Sequence, residues 1–227
     1  MINELTVLAV IPARGGSTGL PKKNTLLLGG KPLIVWSIEA AHQSKYIDRC
    51  IVSTDCKNIA NICRLHGCEV PFMRAGSLAT DSSNSNEVII DSLHQLDKEY
   101  DLVISLQPTS PLRNAEDIDN ALEIIYQKKA PALVSVCVSS KPFSWHHTLD
   151  NNGIIKPIVE AIDKPNRQDY HRTYLPNGAL FIARVEYFEN EKTFYTDFTL
   201  GYEMPIERSI DIDNKIDLLT AESLISS

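Results

Sequence analysis

The sequence predicts an α/β fold in which a mostly parallel β-sheet is flanked by helices. Short apolar runs rich in β-forming residues alternate along the chain with segments of helical period. Such alternation is typical of βαβ units, whose strands form a largely parallel sheet covered by helices. The chain has 227 residues, enough to bury a substantial core without disulfides or structural metals. We therefore predict a single domain over residues 1–227.

The individual elements follow from these patterns in chain order. Buried strands are predicted at 5–11, 50–53, 102–106 and 133–138, and a returning strand at 179–183. Helices are predicted at 31–44, 57–66, 85–98, 115–128 and 216–225. Asn84 with Glu87, and Asn114 with Asp117, have the spacing of capping boxes, which marks two of the helix starts.

The alternation breaks off between residues 139 and 175. This segment is rich in Pro, Asn, Asp, His and Lys and has no clear period, yet it carries scattered large apolar residues. A segment of this length is either an ordered, functional excursion or disordered. The apolar residues favour an ordered excursion, inserted in the domain, that packs on another surface such as a second subunit.

Composition excludes several classes of function. The net charge of −7 and the pI near 5.4 argue against a nucleic-acid partner, which needs a basic face. Five cysteines without a CxxC pair predict reduced thiols rather than a disulfide framework or a zinc site. Glu4 stands where a signal peptide would be basic, and no apolar run approaches the roughly 20 residues of a membrane span. We therefore expect a cytoplasmic protein with no membrane partner.

A glycine-rich, basic loop follows the first predicted strand, with the sequence PARGGSTGLPKKN at 12–24. The carboxyl end of a parallel strand is where α/β folds bind ligands. Glycines let backbone amides approach an anion, while Arg14 and two lysines add positive charge in a stretch without acidic residues. The spacing matches neither the Walker A motif nor GxGxxG. We predict a phosphate site of another kind, with a solvated turn as the alternative.

This loop resembles the signature ARxxSKGLPxKN of the CMP-sialic acid synthetases, the N-acylneuraminate cytidylyltransferases. Further segments similar to that family follow in order along nearly the whole chain: VSTD (52–55), LATD (78–81), LQPTSPLR (106–113), PNGA (176–179) and SIDID (209–213). Two more are similar to the bacterial branch that activates legionaminic acid: NRQD (166–169) and GYEMP (201–205). The resemblance implies a Rossmann-like sheet of the nucleotide-diphospho-sugar transferase type. It also implies transfer of CMP from CTP to a nonulosonic acid, with release of pyrophosphate.

The resemblance assigns residues to the triphosphate of CTP. They are Arg14, Ser17, Lys23 and Asn24. Arg14 and Lys23 would stabilise the charge that develops as pyrophosphate leaves. This chain has Thr18 where the family signature has Lys, which removes one cation expected near the phosphates. Lys22 would compensate in part if its side chain turned inward.

For the cytosine base, the resemblance implies a pocket made by Arg74, Ser85 and the backbone near Ser83. The alternative for Arg74 is an exposed arginine ahead of a loop. Asp55 ends a predicted strand and is either a ligand or the cap of the helix that starts near Lys57.

The acceptor sugar is expected to contact Gln107 and Asn177, each next to a predicted strand. Arg167 offers the fork that suits the carboxylate of a sialic acid. The resemblance also implies a homodimer in which part of 139–175 crosses into the partner's active site. Arg167 would then serve the neighbouring subunit.

Asp211 and Asp213 stand two residues apart, a spacing that directs both carboxylates from one face of a strand. Carboxylates suit Mg²⁺, which binds one or two of them together with substrate phosphates and water. On spacing alone, two aspartates of this kind are more often simply solvated, but the resemblance assigns both to the metal and Asp211 to catalysis. His146 and His147 are adjacent without an evident third ligand, so we predict a packing or surface role for them.

Two alternatives stay open at the level of sequence. One is a synthetase for another acidic sugar, such as pseudaminic acid or Kdo, rather than legionaminic or N-acetylneuraminic acid. The other is a CTP-binding protein whose catalysis is weakened or lost, which Thr18 prompts. A dehydrogenase is not supported, because no dinucleotide fingerprint is present.

Overall fold

A six-stranded sheet forms the centre of the fold. The computed structural model describes residues 1–17, 19–80, 83–159 and 171–225. In spatial order the strands are β10 (Leu200–Glu203), β6 (Ala132–Val138), β9 (Tyr174–Arg184), β5 (Leu102–Ser105), β1 (Val7–Pro12) and β4 (Arg49–Ser53). β9 is antiparallel to both its neighbours, whereas β1 pairs in parallel with β4 and β5, and β10 with β6. The predicted, mostly parallel sheet is confirmed.

Helices cover both faces of this sheet. One face packs against α1 (Leu33–Gln43), α2 (Lys57–Leu65) and α4 (Ala115–Lys128), and the other against α3 (Ser85–His94) and α5 (Val185–Glu191). The alternating side chains of β1 show how one strand serves both faces. Val7, Ala9 and Ile11 enter the first core cluster, and Leu8 and Val10 enter the second. A third, smaller cluster joins α6 (Lys215–Ile225) to the short hairpin of β2 (Leu27–Leu28) and β3 (Lys31–Pro32).

Local signals placed some helix ends well. α4 has the predicted bounds, and its start is a full capping box: Asn114 Oδ1 accepts from the Asp117 amide at 2.9 Å, and Asp117 Oδ2 accepts from the Asn114 amide at 3.2 Å. Asn84 caps α3 through the Asn86 amide at 2.9 Å. α3 ends at His94, earlier than predicted, where a polar turn follows.

Other elements were not predicted from the hydrophobic pattern. α5 and β10 are two of them, and β9 begins at Tyr174, inside the segment that lacks a period. The first half of β9 is exposed at Tyr174 and Leu175, and its strand conformation comes from pairing with β6 rather than from a buried apolar run. Tertiary pairing therefore decided this boundary.

The described part of the 139–175 segment contains a hairpin, β7 (His147–Leu149) with β8 (Ile155–Pro157). Every residue of both strands is exposed. His146 and His147 are also exposed, and their Nδ1 atoms contact nearby backbone carbonyls, which fits the predicted surface role. The five cysteines are free thiols, as predicted. Across the described residues, no helix combines the length and apolar character that crossing a membrane requires.

Candidate active site

A cleft of about 520 Å³ opens at the edge of the sheet where β1, β4 and β5 end. Because β9 runs in the opposite direction, its first residues reach the same edge. Among the described residues, the cleft collects every predicted site residue except Asn177. Those that line it are Arg14, Ser17, Lys23, Asn24, Arg74, Ser83, Ser85, Gln107, Asp211 and Asp213. Arg167 and Thr18 lie outside the described residues.

The glycine-rich loop is fixed by contacts to its own far end and to the end of β4. The Asn24 side chain is buried and donates from Nδ2 to the Arg14 carbonyl at 3.0 Å, which ties the two ends of the loop together. The Gly15 amide donates to Asp55 Oδ1 at 2.8 Å. A Cβ at Gly15 would lie 2.8 Å from Cys56 Cβ, so only glycine allows this close approach.

Asp55 therefore does not cap α2. The N-cap position of α2 is Cys56, which makes no side-chain capping bond, whereas the Asp55 carboxylate is directed to the loop. Local pattern left both a ligand and a capping role open for Asp55. The contact with Gly15, 40 residues away in the chain, could not be read from that pattern.

The loop also touches the segment that carries the two predicted metal ligands. Lys23 Nζ lies 2.8 Å from Asp213 Oδ1, and a Cβ at Gly19 would lie 2.8 Å from the Asp213 carbonyl oxygen. Lys22 is exposed, has a left-handed backbone at φ 55°, and does not line the cleft. The Lys22 side chain therefore does not turn inward to replace the missing cation.

Asp211 and Asp213 lie on an irregular connection before α6, not on a strand, which corrects the geometry inferred from their spacing. Ile212 between them is fully buried, and its amide donates to the Thr109 carbonyl at 2.8 Å. This anchor leaves the two flanking carboxylates on the cleft side. Asp211 and Asp213 thus share a site because Ile212 between them is anchored in the core, and not because of strand pleating.

Asp211 has the more unusual environment of the two. Its Oδ1 is buried and accepts no hydrogen bond within the described part of the chain. Burial raises the pKa of Asp211, an effect that the Thr109 hydroxyl and, to a smaller degree, Lys23 oppose. A buried carboxylate oxygen in this state is an acceptor position for a cation or donor that arrives with the substrate.

Gly178 lies close to this carboxylate. Its φ is +76°, and a Cβ there would lie 3.2 Å from Asp211 Oδ2 and 3.4 Å from Gln107 Oε1. We expect Gly178→Ala to lower the catalytic rate about 10- to 100-fold, since small displacements of reacting groups have effects of this size. The strain of a left-handed alanine should also lower stability by roughly 1 kcal/mol.

The matched control for this prediction is Gly67→Ala. Gly67 has φ +77° and only an ordinary contact at 3.9 Å, so the substitution brings the same backbone strain without crowding the cleft. Steady-state kinetics and thermal unfolding of both variants separate the two effects. Equal activity losses in the two variants would show that Gly178 acts through stability alone.

Arg74 also lines the cleft and is buried, with 7% of its surface exposed. Its Nε donates to Ser53 Oγ at 3.1 Å and a terminal nitrogen donates to the Ser53 carbonyl. Burial lowers the pKa of Arg74, although the group stays a cation at neutral pH. The alternative of an exposed arginine is therefore wrong.

The two predicted serines of this region differ in their contacts. Ser83 Oγ accepts from the Thr80 amide at 3.0 Å and donates to the Ser77 carbonyl at 3.1 Å, so it holds the preceding turn. Ser85 is the first residue of α3. Both line the cleft.

Asn177 is not brought into the cleft. Its side chain is buried, with Oδ1 accepting from Ser135 Oγ at 2.5 Å and Nδ2 donating to Ser209 Oγ at 2.8 Å. These contacts hold the start of β9 against the segment that leads to Asp211. A direct bond from Asn177 to the sugar stays a prediction, and the contacts present are those of a residue that holds its neighbours in place.

Comparisons with known proteins show the family to which the chain belongs. Residues 8–219 match the family model described as cytidylyltransferase. The chain belongs to the cytidylyltransferase family. It is therefore a nucleotidyltransferase, as the sequence predicted.

Among relatives of this cytidylyltransferase is the CMP-N,N′-diacetyllegionaminic acid synthase of Legionella pneumophila subsp. pneumophila. The two are 41% identical over 227 residues, which cover 97% of each chain. The N-acylneuraminate cytidylyltransferase of Streptococcus agalactiae serotype V is 38% identical over 214 residues, or 93% of this chain and 51% of that relative. The chain thus spans about half the length of the streptococcal protein.

The fold of the cytidylyltransferase is also found in solved structures. A CMP:2-keto-3-deoxy-manno-octonic acid synthetase complexed with CTP superposes with a TM-score of 0.73 over 97% of this chain and 98% of that one. The sequences are 18% identical, so this likeness concerns the fold alone. It confirms the predicted fold class.

Several residues at the cytidylyltransferase cleft were not predicted. Thr109 lines the cleft, and Gly178 lies against the Asp211 carboxylate. Both belong to motifs noted in the sequence, LQPTSPLR and PNGA. Their position in these motifs was the signal that could have identified them. The assembled cleft places three cations, Arg14, Lys23 and Arg74, in one cavity with Asp211 and Asp213. Such a cavity can bind a polyanion together with a divalent metal.

Proposed function

We propose that this enzyme transfers CMP from CTP to the anomeric hydroxyl of a nonulosonic acid and releases pyrophosphate, with a legionaminic-type acid as the acceptor. The observation that carries the proposal is the cleft, where a basic glycine-rich loop contacts Asp213 and shares one cavity with Asp211. The 41% identity to a diacetyllegionaminic acid synthase over nearly full length supports the choice of acceptor.

The cations of the cleft would bind the triphosphate and stabilise the leaving pyrophosphate. Arg14 and Lys23 are donors that stay charged at neutral pH, so they neutralise phosphate charge rather than remove a proton. Asn24 holds the backbone of the loop that carries Arg14. Positioning and charge neutralisation are the main catalytic contributions available to phosphoryl-type transfer.

Mg²⁺ is the metal we propose for this site. Among the described residues no cluster of three or more His, Cys, Asp or Glu side chains is arranged to hold a metal. The two carboxylates still fit Mg²⁺, because it commonly binds one or two carboxylates and completes its shell with phosphates and water. The buried Oδ1 of Asp211, which has no partner in the described ranges, supplies an observation in favour of this fit. Bound Mg²⁺ would neutralise phosphate charge and acidify the sugar hydroxyl.

Arg74 would select the base. A guanidinium only donates hydrogen bonds, and cytosine presents two adjacent acceptors, O2 and N3, whereas N3 of uracil carries a proton. Ser53 accepts two hydrogen bonds from the guanidinium, so the guanidinium cannot rotate freely to suit another base. Gln107 at the end of β5 is the candidate for the acceptor sugar, and Arg167 remains the predicted partner of its carboxylate.

We propose a homodimer formed through the 139–175 segment. The hairpin exposes Leu149 at 70% and Ile155 at 64%, an apolar surface that a second copy would cover. Leu149→Asp with Ile155→Asp is expected to convert dimers to monomers in light scattering. Leu65→Asp, at an exposed site on α2, is the control and should leave the dimer intact. A monomeric unsubstituted protein would contradict the proposal.

We propose a cytoplasmic location for the enzyme. Free thiols are typical of proteins in a reducing compartment, and CTP is available in the cytoplasm. Fractionation of cells that express the full chain, followed by immunodetection, tests this location. Recovery outside the cytoplasmic fraction would contradict it.

Pyrophosphate release tests the proposed function directly. The assay contains CTP, Mg²⁺ and one sugar at a time: N,N′-diacetyllegionaminic acid, N-acetylneuraminic acid, pseudaminic acid or Kdo. We expect the highest kcat/KM with the legionaminic acid and no release from Asp211→Ala. A different preferred sugar would overturn the acceptor but keep the reaction. Silence with every sugar, despite CTP binding by calorimetry, would favour the CTP-binding alternative.

A further inference from the structure

The segment that carries Asp211 is attached to the rest of the fold through an arginine fork. Arg208 Nε donates to Asp117 Oδ2 at 2.9 Å, and its terminal nitrogen donates to Asp117 Oδ1 at 2.8 Å. The Asp117 side chain is fully buried, whereas 35% of the Arg208 side chain is exposed. A two-point bond between a guanidinium and a carboxylate fixes orientation as well as distance.

Asp117 is itself rigidly held. It is the third residue of α4, and its Oδ2 also accepts from the Asn114 amide at 3.2 Å in the capping box. The Tyr202 hydroxyl of β10 donates to its Oδ1 at 3.3 Å. The bonds to Asp117 raise the pKa of Arg208, so the pair stays ionised. Arg208 is therefore anchored to a point that the helix and an edge strand both fix.

Two further hydrogen bonds hold the residues that follow Arg208 in place near the cleft. Ser209 Oγ accepts from Asn177 Nδ2 at 2.8 Å, and the Ile212 amide donates to the Thr109 carbonyl at 2.8 Å. Asp211 lies between these two bonds, three residues after Arg208. A displacement of Arg208 would therefore shift the backbone that holds the Asp211 carboxylate in the cleft.

We propose that Arg208 is a positioning residue for the metal site: its fork onto Asp117 sets the place of the Asp211 carboxylate. This inference rests on the proposed function, because it takes Asp211 as a metal ligand. Arg208 does not line the cleft, so it acts on the metal only through the segment. Groups that hydrogen-bond a metal ligand directly change metal affinity about 10- to 100-fold when replaced, and a group that acts through the backbone is expected at the lower end of that range.

Manganese binding in the absence of any acceptor sugar provides a measurement that does not depend on turnover. Mn²⁺ is titrated into the protein with CTP and followed by electron paramagnetic resonance. We expect Arg208→Met to weaken Mn²⁺ binding about 10-fold, the lower end of the range for groups that orient metal ligands. Arg208→Lys, which keeps the charge but loses the fork, should lie between Arg208→Met and the unsubstituted protein.

Arg49→Met is the matched control. Arg49 also forks onto a carboxylate, with its terminal nitrogen 2.7 Å from Glu69, but it starts β4 at the opposite edge of the sheet from the cleft. We expect unchanged Mn²⁺ binding in this variant. Unchanged Mn²⁺ binding in a folded Arg208→Met would overturn the inference. If that variant does not fold, unchanged binding in Arg208→Lys overturns it equally.

Asp211→Ala separates this inference from the proposed function. If Asp211→Ala weakens Mn²⁺ binding and the Arg208 variants do not, the metal role of Asp211 stands and only the positioning role fails. If Asp211→Ala leaves Mn²⁺ binding unchanged, the proposed metal site fails, and the role of Arg208 fails with it. Parallel losses in Asp211→Ala and Arg208→Met support both.

Discussion

Replacing Asp211 by asparagine is expected to lower pyrophosphate release about 100- to 1,000-fold, the range seen when one preorganised electrostatic contact is removed from an active site. The substitution keeps the shape of the side chain but removes the charge that the proposed metal needs. Because Asp211 Oδ1 is buried and has no hydrogen-bond partner among the described residues, little else in the cleft would compensate.

The same substitution is expected to stabilise the protein at neutral pH. Burial raises the pKa of Asp211 in the folded protein, so its ionised form is disfavoured there relative to the unfolded chain. The stabilising contribution of such a group is present below its unfolded pKa and is lost as the pH rises through its folded pKa. The Asp211→Asn variant avoids this loss, so the gain should be present at neutral pH and disappear in acid, where Asp211 is itself neutral.

Chemical unfolding at neutral and at acidic pH, together with steady-state kinetics, measures both effects. Asp97→Asn is the control, since Asp97 is an exposed carboxylate in the turn after α3 and should change neither property. A variant that loses activity and stability together would indicate that Asp211 supports the fold rather than a ligand. The expected combination, lower activity with higher stability, is common when active-site residues are replaced.

Replacing Lys23 by methionine is expected to lower kcat/KM for CTP about 100- to 1,000-fold, again the scale for one electrostatic contact to developing charge. Lys23 lies in the cleft with 20% of its side chain exposed and is 2.8 Å from Asp213. Removing it takes away a cation from the phosphates and leaves Asp213 without that partner.

The neighbouring lysine gives a matched control for this second prediction. Lys22 has the same side chain but is exposed and outside the cleft, so Lys22→Met should change kcat/KM less than about twofold, as for surface substitutions generally. Kinetics of both variants, with CTP binding by calorimetry, test the assignment. Equal losses in the two variants would mean that Lys22 compensates for Thr18 after all.

The sequence by itself determined the α/β alternation and the bounds of α4, and it named many of the residues that line the cleft. These features depend on signals within a few residues of one another, such as the capping box at Asn114 and the glycine-rich loop. Nearly all predicted site residues that the structure describes line one cleft, because parallel strands bring their carboxyl ends to one edge of the sheet.

Only the tertiary structure decided how each of these side chains is used. The partner of Asp55 is 40 residues away, that of Asn177 is 32 residues away and that of Asp117 is 91 residues away. No local pattern specifies such pairs, which is why a capping role stayed open for Asp55 and why Asp211 was expected on a strand. Burial and distant hydrogen bonds fix these roles, because they depend on which segments the completed fold brings into contact.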